Sequence, residues 1–103
     1  MNERRLMLDD IFRTQILGSN NVYFQPPESV KMQYPAIRYE LSHIEMDYAD
    51  DRPYTSAKRY SVTIIDKNPD SFLPELMTAL PFCSFDRFYT ASNLNHWVFN
   101  LYF

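Results

Sequence analysis

The sequence CSFDRFYTASNLNHWVFNLYF, residues 83–103, decides the fold of this chain. In its last part, large apolar side chains stand at every second position: Trp97, Phe99, Leu101 and Phe103. A period of two is typical of a strand with one buried face. We therefore predict two strands, over residues 83–89 and 96–103, joined by a polar turn at residues 90–95. This hairpin is expected to be the structural centre of a small α+β domain.

The composition around this hairpin indicates a single aromatic-rich domain spanning residues 1–103. The chain is 46% hydrophobic and 17% aromatic, with 8 Tyr and 8 Phe. Each large ring can bury about 150–250 Å², and tyrosines with an apolar body and a polar tip suit interfaces. The chain can therefore build a core and still have rings that contact a partner.

Charge and residue counts exclude several classes of function. The net charge is −3, which is the wrong sign for general nucleic-acid binding through phosphates. A single Gly excludes glycine-rich phosphate loops, and a single Cys excludes an intramolecular disulfide or a cysteine-based zinc site. The amino-terminal residues lack the apolar segment of a signal peptide, and no apolar run approaches the ~20 residues that span a bilayer. We expect a soluble protein made in the cytoplasm, with no contact with a membrane.

The first half of the chain predicts one helix followed by strands. A helix is expected over residues 2–17, because Leu8, Phe12 and Ile16 fall at helical spacing. Gly18 follows at the position where a left-handed residue most readily ends a helix. A short strand is predicted at residues 22–24, and Gln25-Pro26-Pro27 stops it.

Three further segments complete the predicted order. Alternation predicts strands at residues 36–41 and 58–65, and residues 43–48 either continue the first of these or bend away from it. Residues 49–55 are expected to be a charged loop turned by Pro53. A second helix is predicted over residues 71–80. The fold class is therefore α+β, in the order α-β-β-β-α-β-β, with an antiparallel sheet of about four to five strands and two helices on one face.

The two histidines are the only side chains with a near-neutral ordinary pKa. A pair of histidines suggests acid–base cleavage of RNA, so a small ribonuclease using His43 and His96 is kept as an alternative. His96 stands beside Trp97 on a predicted strand, which favours a hydrogen-bonded structural histidine. A catalytic site, a metal site and a cofactor are not predicted.

The carboxylates Glu45, Asp47, Asp50 and Asp51 form the densest charge cluster of the sequence. A calcium loop would need a tight turn, usually with Gly, and a closing Glu, and the sequence EMDYADD has neither. Two interpretations of the cluster remain: a solvated loop, or an acidic surface that faces another polyanion without binding it.

Residues 22–103 resemble a known family. The segments that carry the resemblance are VYFQPPESVKMQYPAIRYEL, DDRPYTSAKRYSVTIID and NPDSFLPEL, followed by the closing hairpin. Together they are similar to the small tail-terminator, or tail-completion, proteins of long-tailed bacteriophages that infect Gram-positive bacteria. The closing hairpin is the most specific part of this resemblance.

The resemblance implies a structural role and no enzyme activity. Members of this family form a ring, usually a hexamer, on the head-proximal end of the tail tube. The ring stops tube growth, joins the neck or head-completion protein, and lets DNA pass without specific binding. The expected location is the virion, at the junction of tail and neck, after assembly in the host cytoplasm. We predict that Asp47, Asp50 and Asp51 face the lumen. Alternatives are a head-completion (stopper) protein of the neck and a monomeric module that binds a host protein.

Overall fold

The fold consists of two helical regions and a five-stranded sheet. A computed structural model describes residues 3–27, 29–49 and 52–103. The first helix, α1, is followed directly by a π-helical segment, and a second helix, α2, precedes the last two strands. The elements are α1 (Glu3–Ile11), the π-helical segment (Phe12–Leu17), β1 (Val22–Phe24), β2 (Ala36–Ala49), β3 (Arg52–Asp66), α2 (Leu73–Thr78), β4 (Cys83–Ala91) and β5 (Leu94–Tyr102). The predicted α+β class and the predicted order of elements are confirmed.

The sheet is mixed, so the prediction of a purely antiparallel sheet is wrong in one pair of strands. The strand order is β1-β2-β3-β5-β4. β1 runs parallel to β2, with Val22 opposite Ile37, whereas the other three pairs are antiparallel. The cause is the connection at residues 25–35, which is far longer than a hairpin turn and returns the chain to the end of the sheet where β1 began. A crossover connection of about a dozen residues is what a parallel pair requires.

Both helical segments pack on one face of this sheet, as predicted. The apolar residues of the helices and of the inner sheet face form one buried cluster: Leu8, Phe12, Ile16, Val22, Ile37, Tyr39, Tyr60, Val62, Ile64, Leu73, Met77, Phe99 and Leu101. The sheet members fall at alternate positions of β2, β3 and β5, and strand pairing places them in rows. The alternation read from the sequence thus identifies the inner face correctly.

The first helix ends where the sequence predicts. Gly18 follows Leu17 in the left-handed conformation, with φ of +69°. The last turns, from Phe12 to Leu17, are π-helical, and Phe12 and Ile16 remain buried in them. The predicted first residue, Asn2, lies outside the described residues.

Replacing Gly18 with Ala is expected to lower the free energy of unfolding by about 1 kcal/mol. The penalty comes from the positive φ, because an added Cβ meets no atom within 4 Å. Gly18→Asn should cost less, since asparagine tolerates the left-handed region. Urea denaturation of both variants checks this. An Ala variant as stable as the unchanged protein would contradict the left-handed helix end.

The prediction of a charged loop at residues 49–55 is wrong, because β2 and β3 both extend into this range. β2 continues to Ala49 and β3 begins at Arg52, with Tyr48 opposite Pro53. Proline cannot donate to a strand ladder, but it is tolerated in a strand whose other edge is open. β5 pairs with β3 only from Arg59 onwards, so Pro53 lies on such an edge.

The remaining elements differ from the prediction at their ends. α2 is shorter than the predicted residues 71–80, and Pro74 lies in its first turn. The closing hairpin has a two-residue turn, in place of the polar turn predicted at residues 90–95. Ser92 and Asn93 both have positive φ, 52° and 63°, as the tight hairpin turn of type I′ requires. Asparagine adopts this conformation more readily than most residues, which makes a turn without glycine possible.

Candidate functional site

A two-stranded arm projects from the sheet, formed by the parts of β2 and β3 that lie beyond the last contact with β5. Tyr102 of β5 is opposite Arg59, and no strand pairs with the outer side of β3 past this point in the described part of the chain. We define the arm as residues 42–49 and 52–58. At about 3.3 Å per residue its length is about 26 Å. The molecule measures 51 × 26 × 24 Å, and the arm accounts for its long dimension.

One face of the arm carries an exposed apolar stripe. We call Leu41, which directly precedes the arm in β2, together with Ile44 and Met46 the arm stripe; they are 37%, 39% and 46% exposed. Leu41 is opposite Tyr60, whose side chain is buried on the inner sheet face, and Ile44 is opposite Lys58. A β-bulge between Leu41 and His43 keeps the three side chains on one face. The stripe therefore continues the inner face of the sheet outward without a helix to cover it.

Polar side chains lie on the opposite face at the base of the arm, among the residues whose side chains the structure describes. His43 forms a 2.7 Å contact from its Nε2 to Glu45 Oε2. At the bulge, the Ser42 hydroxyl donates to the Arg59 carbonyl oxygen over 3.0 Å and accepts from Arg59 Nε over 3.3 Å. These bonds hold the bulge that sets the direction of the arm stripe.

Of the three acidic residues predicted to face a lumen, Asp47 is the one in the described part of the arm. Asp47 lies in β2 with its backbone opposite Tyr54. Asp50 and Asp51 lie outside the described residues. Their orientation toward a lumen stays a prediction.

A second exposed apolar surface lies at the β4 edge of the sheet. We call Phe85 and Phe88 the edge cluster; they are 52% and 48% exposed, and Phe82, which directly precedes β4, is 80% exposed. Strand pairing places Phe85 opposite Phe99 and Phe88 opposite Trp97, with ring centroids 5.5 and 5.4 Å apart. Exposed patches of this kind on a small domain mark interaction sites.

Sequence reasoning missed the edge cluster because it assumed unbroken alternation along β4. That assumption places Phe85 and Phe88 on opposite faces. A bulge between Phe85 and Arg87 brings them to the same face. The signal was the spacing of three between two phenylalanines in a strand, which fits a bulge and not a regular ladder.

The two histidines do not form a paired site. His43 is opposite Arg59 and His96 is opposite Ile65 along the same strand, a separation of about 20 Å at 3.3 Å per residue. His96 stacks on Tyr89 with centroids 4.5 Å apart and its Nδ1 lies 3.2 Å from the Leu94 carbonyl oxygen. This geometry agrees with the structural reading of His96 and does not support the ribonuclease alternative.

A half-buried polar network connects α1 to β2. The Tyr39 hydroxyl donates to Asp9 Oδ2 over 2.7 Å, and Arg5 Nη1 lies 3.2 Å from the same hydroxyl. Arg13 Nε donates to Asp9 Oδ1. Burial, and next the hydrogen bond to Asp9, raise the pKa of Tyr39, while the Arg5 hydrogen bond opposes them. The sequence pattern of the first helix does not indicate this contact, because Asp9 and its buried partner Tyr39 lie in different elements.

Other candidate sites in the described ranges carry no recognisable chemistry. Cys83 begins β4 half-buried, and burial raises the pKa of its thiol to about 11, which disfavours the reactive thiolate. Across residues 3–27, 29–49 and 52–103, no three His, Cys, Asp or Glu side chains are placed to hold a metal ion. An open depression of about 560 Å³ lies beside the closing turn, with Lys67 as the one charged residue among those that line it. None of the described helices is both long and apolar enough to cross a membrane.

Comparison of the sequence with protein families and with curated proteins gives no match. No protein-family model matches the sequence, and a comparison with curated proteins gives no significant match. The resemblance of residues 22–103 to phage tail terminators therefore stays a prediction. The arm stripe and the edge cluster are the surfaces on which a functional proposal can rest.

Proposed function

We propose that this protein is a tail terminator, a structural subunit that forms a ring on the head-proximal end of a phage tail tube. The observation that carries the proposal is the presence of two separate exposed apolar surfaces on one small domain, the arm stripe and the edge cluster. A ring is built from head-to-tail contacts, and each subunit must then offer two different surfaces. The resemblance of residues 22–103 to the tail-terminator family supplies the biological setting.

The arm supports this role in a second way. A two-stranded hairpin alone is marginally stable in water, so a projecting pair of long strands is best explained as an element that meets another chain. Asp47 belongs to the far part of this arm, and Asp50 and Asp51 follow it in the sequence. In the proposed ring they line the lumen or its rim and repel passing DNA. A ring structure with these carboxylates on the outer wall would contradict that part of the proposal.

The test is a phage that lacks the gene for this protein, imaged by negative stain. The terminator role predicts tails of uncontrolled length that do not join heads, and supplying the unchanged protein restores normal particles. Tails of normal length beside unjoined heads would favour the alternative stopper role in the neck. Infectious particles of normal appearance would refute both roles.

A further inference from the structure

The ladder between β2 and β3 contains two bulges, one in each strand of the arm. The first lies in β2, where Leu41 is opposite Tyr60 and the next pair is His43 with Arg59. Ser42 is therefore an extra residue with no residue of β3 opposite it, which is what defines a bulge. From this point outward the pairing is offset by one residue.

The second bulge lies in β3 and cancels the offset of the first. Glu45 is opposite Ala57, and the next pair is Met46 with Thr55, so Ser56 is the extra residue here. Beyond it, the outer ladder has the register that it would have with no bulge at all. A ladder without bulges would therefore connect the same inner and outer parts of β2 and β3. We call the observed pairing the bulged register and the pairing without bulges the regular register.

The two registers differ in the face on which the apolar side chains of the arm lie. Successive side chains of a strand point to opposite faces, so a shift by one residue moves each side chain to the other face. In the bulged register Ile44 is opposite Lys58, and Ile44 and Met46 lie on the face that carries the helices. In the regular register Ile44 would be opposite Ala57, and both apolar side chains would lie on the other face.

Burial does not fix the register of the arm. A register is strongly specified where one face of a strand is buried, and weakly specified where neither face is. Ile44 and Met46 are exposed on one face, and His43 and Glu45 are exposed on the other. Ile37, in the inner part of β2, is fully buried, so the register of the sheet itself is fixed by its core.

One side-chain contact favours the bulged register. The Ser42 hydroxyl donates to the Arg59 carbonyl oxygen over 3.0 Å, and this contact depends on the bulge, because side chains of a regular strand stand perpendicular to the sheet. The contact between His43 and Glu45 joins alternate residues of one strand and is available in both registers. Against the bulged register, each bulge leaves a residue out of the ladder.

From this balance we propose that the arm is a two-register switch, in which the bulged register exchanges with the regular register. The exchange turns the apolar side chains of Ile44 and Met46 from one face of the arm to the other. A partner that covers these side chains on one face binds one register better and thereby selects it. The inference goes beyond the tail-terminator role and does not depend on it.

Pairs of cysteines, introduced in a Cys83→Ala background, distinguish the two registers. Ile44→Cys with Lys58→Cys joins partners of the bulged register, and Ile44→Cys with Ala57→Cys joins partners of the regular register. A disulfide needs Cα atoms about 4.4–6.8 Å apart and side chains that point toward each other, so each pair closes in one register. Ile44→Cys with Ser56→Cys is the matched control, because these residues are partners in neither register.

The readout is the yield of each disulfide in a glutathione buffer, where thiol–disulfide exchange is reversible. The 44–58 pair should oxidise most completely, and the 44–57 pair should oxidise measurably more than the 44–56 control. Ser42→Ala should raise the yield of the 44–57 pair relative to the 44–58 pair by about two- to tenfold, the effect of one neutral hydrogen bond. Ser61→Ala, in the part of β3 that pairs on both sides, should leave this ratio unchanged.

A 44–57 pair that oxidises no more than the control would overturn the inference, and so would a ratio that Ser42→Ala does not change. If the cysteine variants do not fold, NMR relaxation dispersion of the unchanged protein decides, because it detects exchange in microseconds to milliseconds. Exchange at residues 43–46, with none at residues 37–40, supports the switch; its absence at residues 43–46 refutes it. The tail-terminator proposal is judged separately by the phage experiment.

Discussion

Replacing Phe99 with Ala is expected to lower the free energy of unfolding by about 3–5 kcal/mol, the usual cost of removing a buried phenylalanine. Phe99 is fully buried and lies in β5, between β3 and β4. Its neighbours across the two ladders are Val62 and Phe85. Because strands on both sides hold the site open, the surrounding residues cannot collapse into the space that the ring leaves.

Urea denaturation measures this loss, with Phe72→Ala as the matched control. Phe72 is 66% exposed, so its removal should change stability by less than about 0.5 kcal/mol. A domain of this size has about 5–15 kcal/mol in total, and Phe99→Leu, which keeps most of the apolar volume, covers the case in which the Ala variant does not fold. Equal effects at positions 99 and 72 would contradict the central place of β5 in the core.

Asp9→Ala is expected to cost about 1.5–3 kcal/mol, the range for hydrogen bonds to charged groups. The substitution removes the acceptor of the Tyr39 hydroxyl and the carboxylate partner of Arg13. Asp10→Ala is the control, because Asp10 is the exposed neighbour in the same helix. A double-mutant cycle with Tyr39→Phe should give a coupling energy above about 0.5 kcal/mol. Simple additivity would mean that the network does not connect the helix to the sheet.

The same network predicts a loss of stability at alkaline pH. The pKa of Tyr39 is raised in the folded protein above its ordinary value of 10.0. The unfolded chain therefore releases the phenolic proton first, and unfolding is increasingly favoured as the pH rises above about 10. The contribution is fully present below that pH and falls by up to about 1.4 kcal/mol per pH unit above it.

Comparison with Tyr39→Phe isolates this effect. The stability difference between the unchanged protein and the variant should shrink as the pH rises through 10 and beyond, because the variant has no hydroxyl to titrate. Tyr102→Phe is the control, since Tyr102 is 40% exposed. A difference that stays constant across this range would contradict the buried hydrogen-bonded state of Tyr39.

Local patterns in the sequence predict the buried parts of this fold well. Alternation at residues 58–65 and 96–103 identifies the inner sheet face, and the single glycine marks the end of the first helix at Gly18. The parallel pairing of β1 was not predictable in this way, because it depends on where the connection at residues 25–35 returns the chain. Whether two strands pair parallel or antiparallel depends on the course of the chain between them, and this course produces no periodic pattern in the sequence.

The candidate surfaces were harder to predict for a related reason. Bulges at Ser42 and near Asp86 reverse the alternation, and each moves an apolar residue to the face opposite to the one expected. The arm could not be predicted because of Pro53, since a proline indicates a loop unless the strand is known to lie at the edge of a sheet. Tyr39 and Asp9 are thirty positions apart, so their contact appears only once the helix is packed on the sheet.

The position of β5 in the sheet also determines when a growing chain can complete its fold. During synthesis, β1 to β4 leave the ribosome before the strand that separates β3 from β4 exists. Until β5 arrives, β4 has no partner in the sheet, and the edge cluster has no support from Phe99 and Trp97. A nascent or truncated chain therefore cannot complete the sheet at its β4 edge, and the fold itself delays closure of the core until translation has passed residue 102.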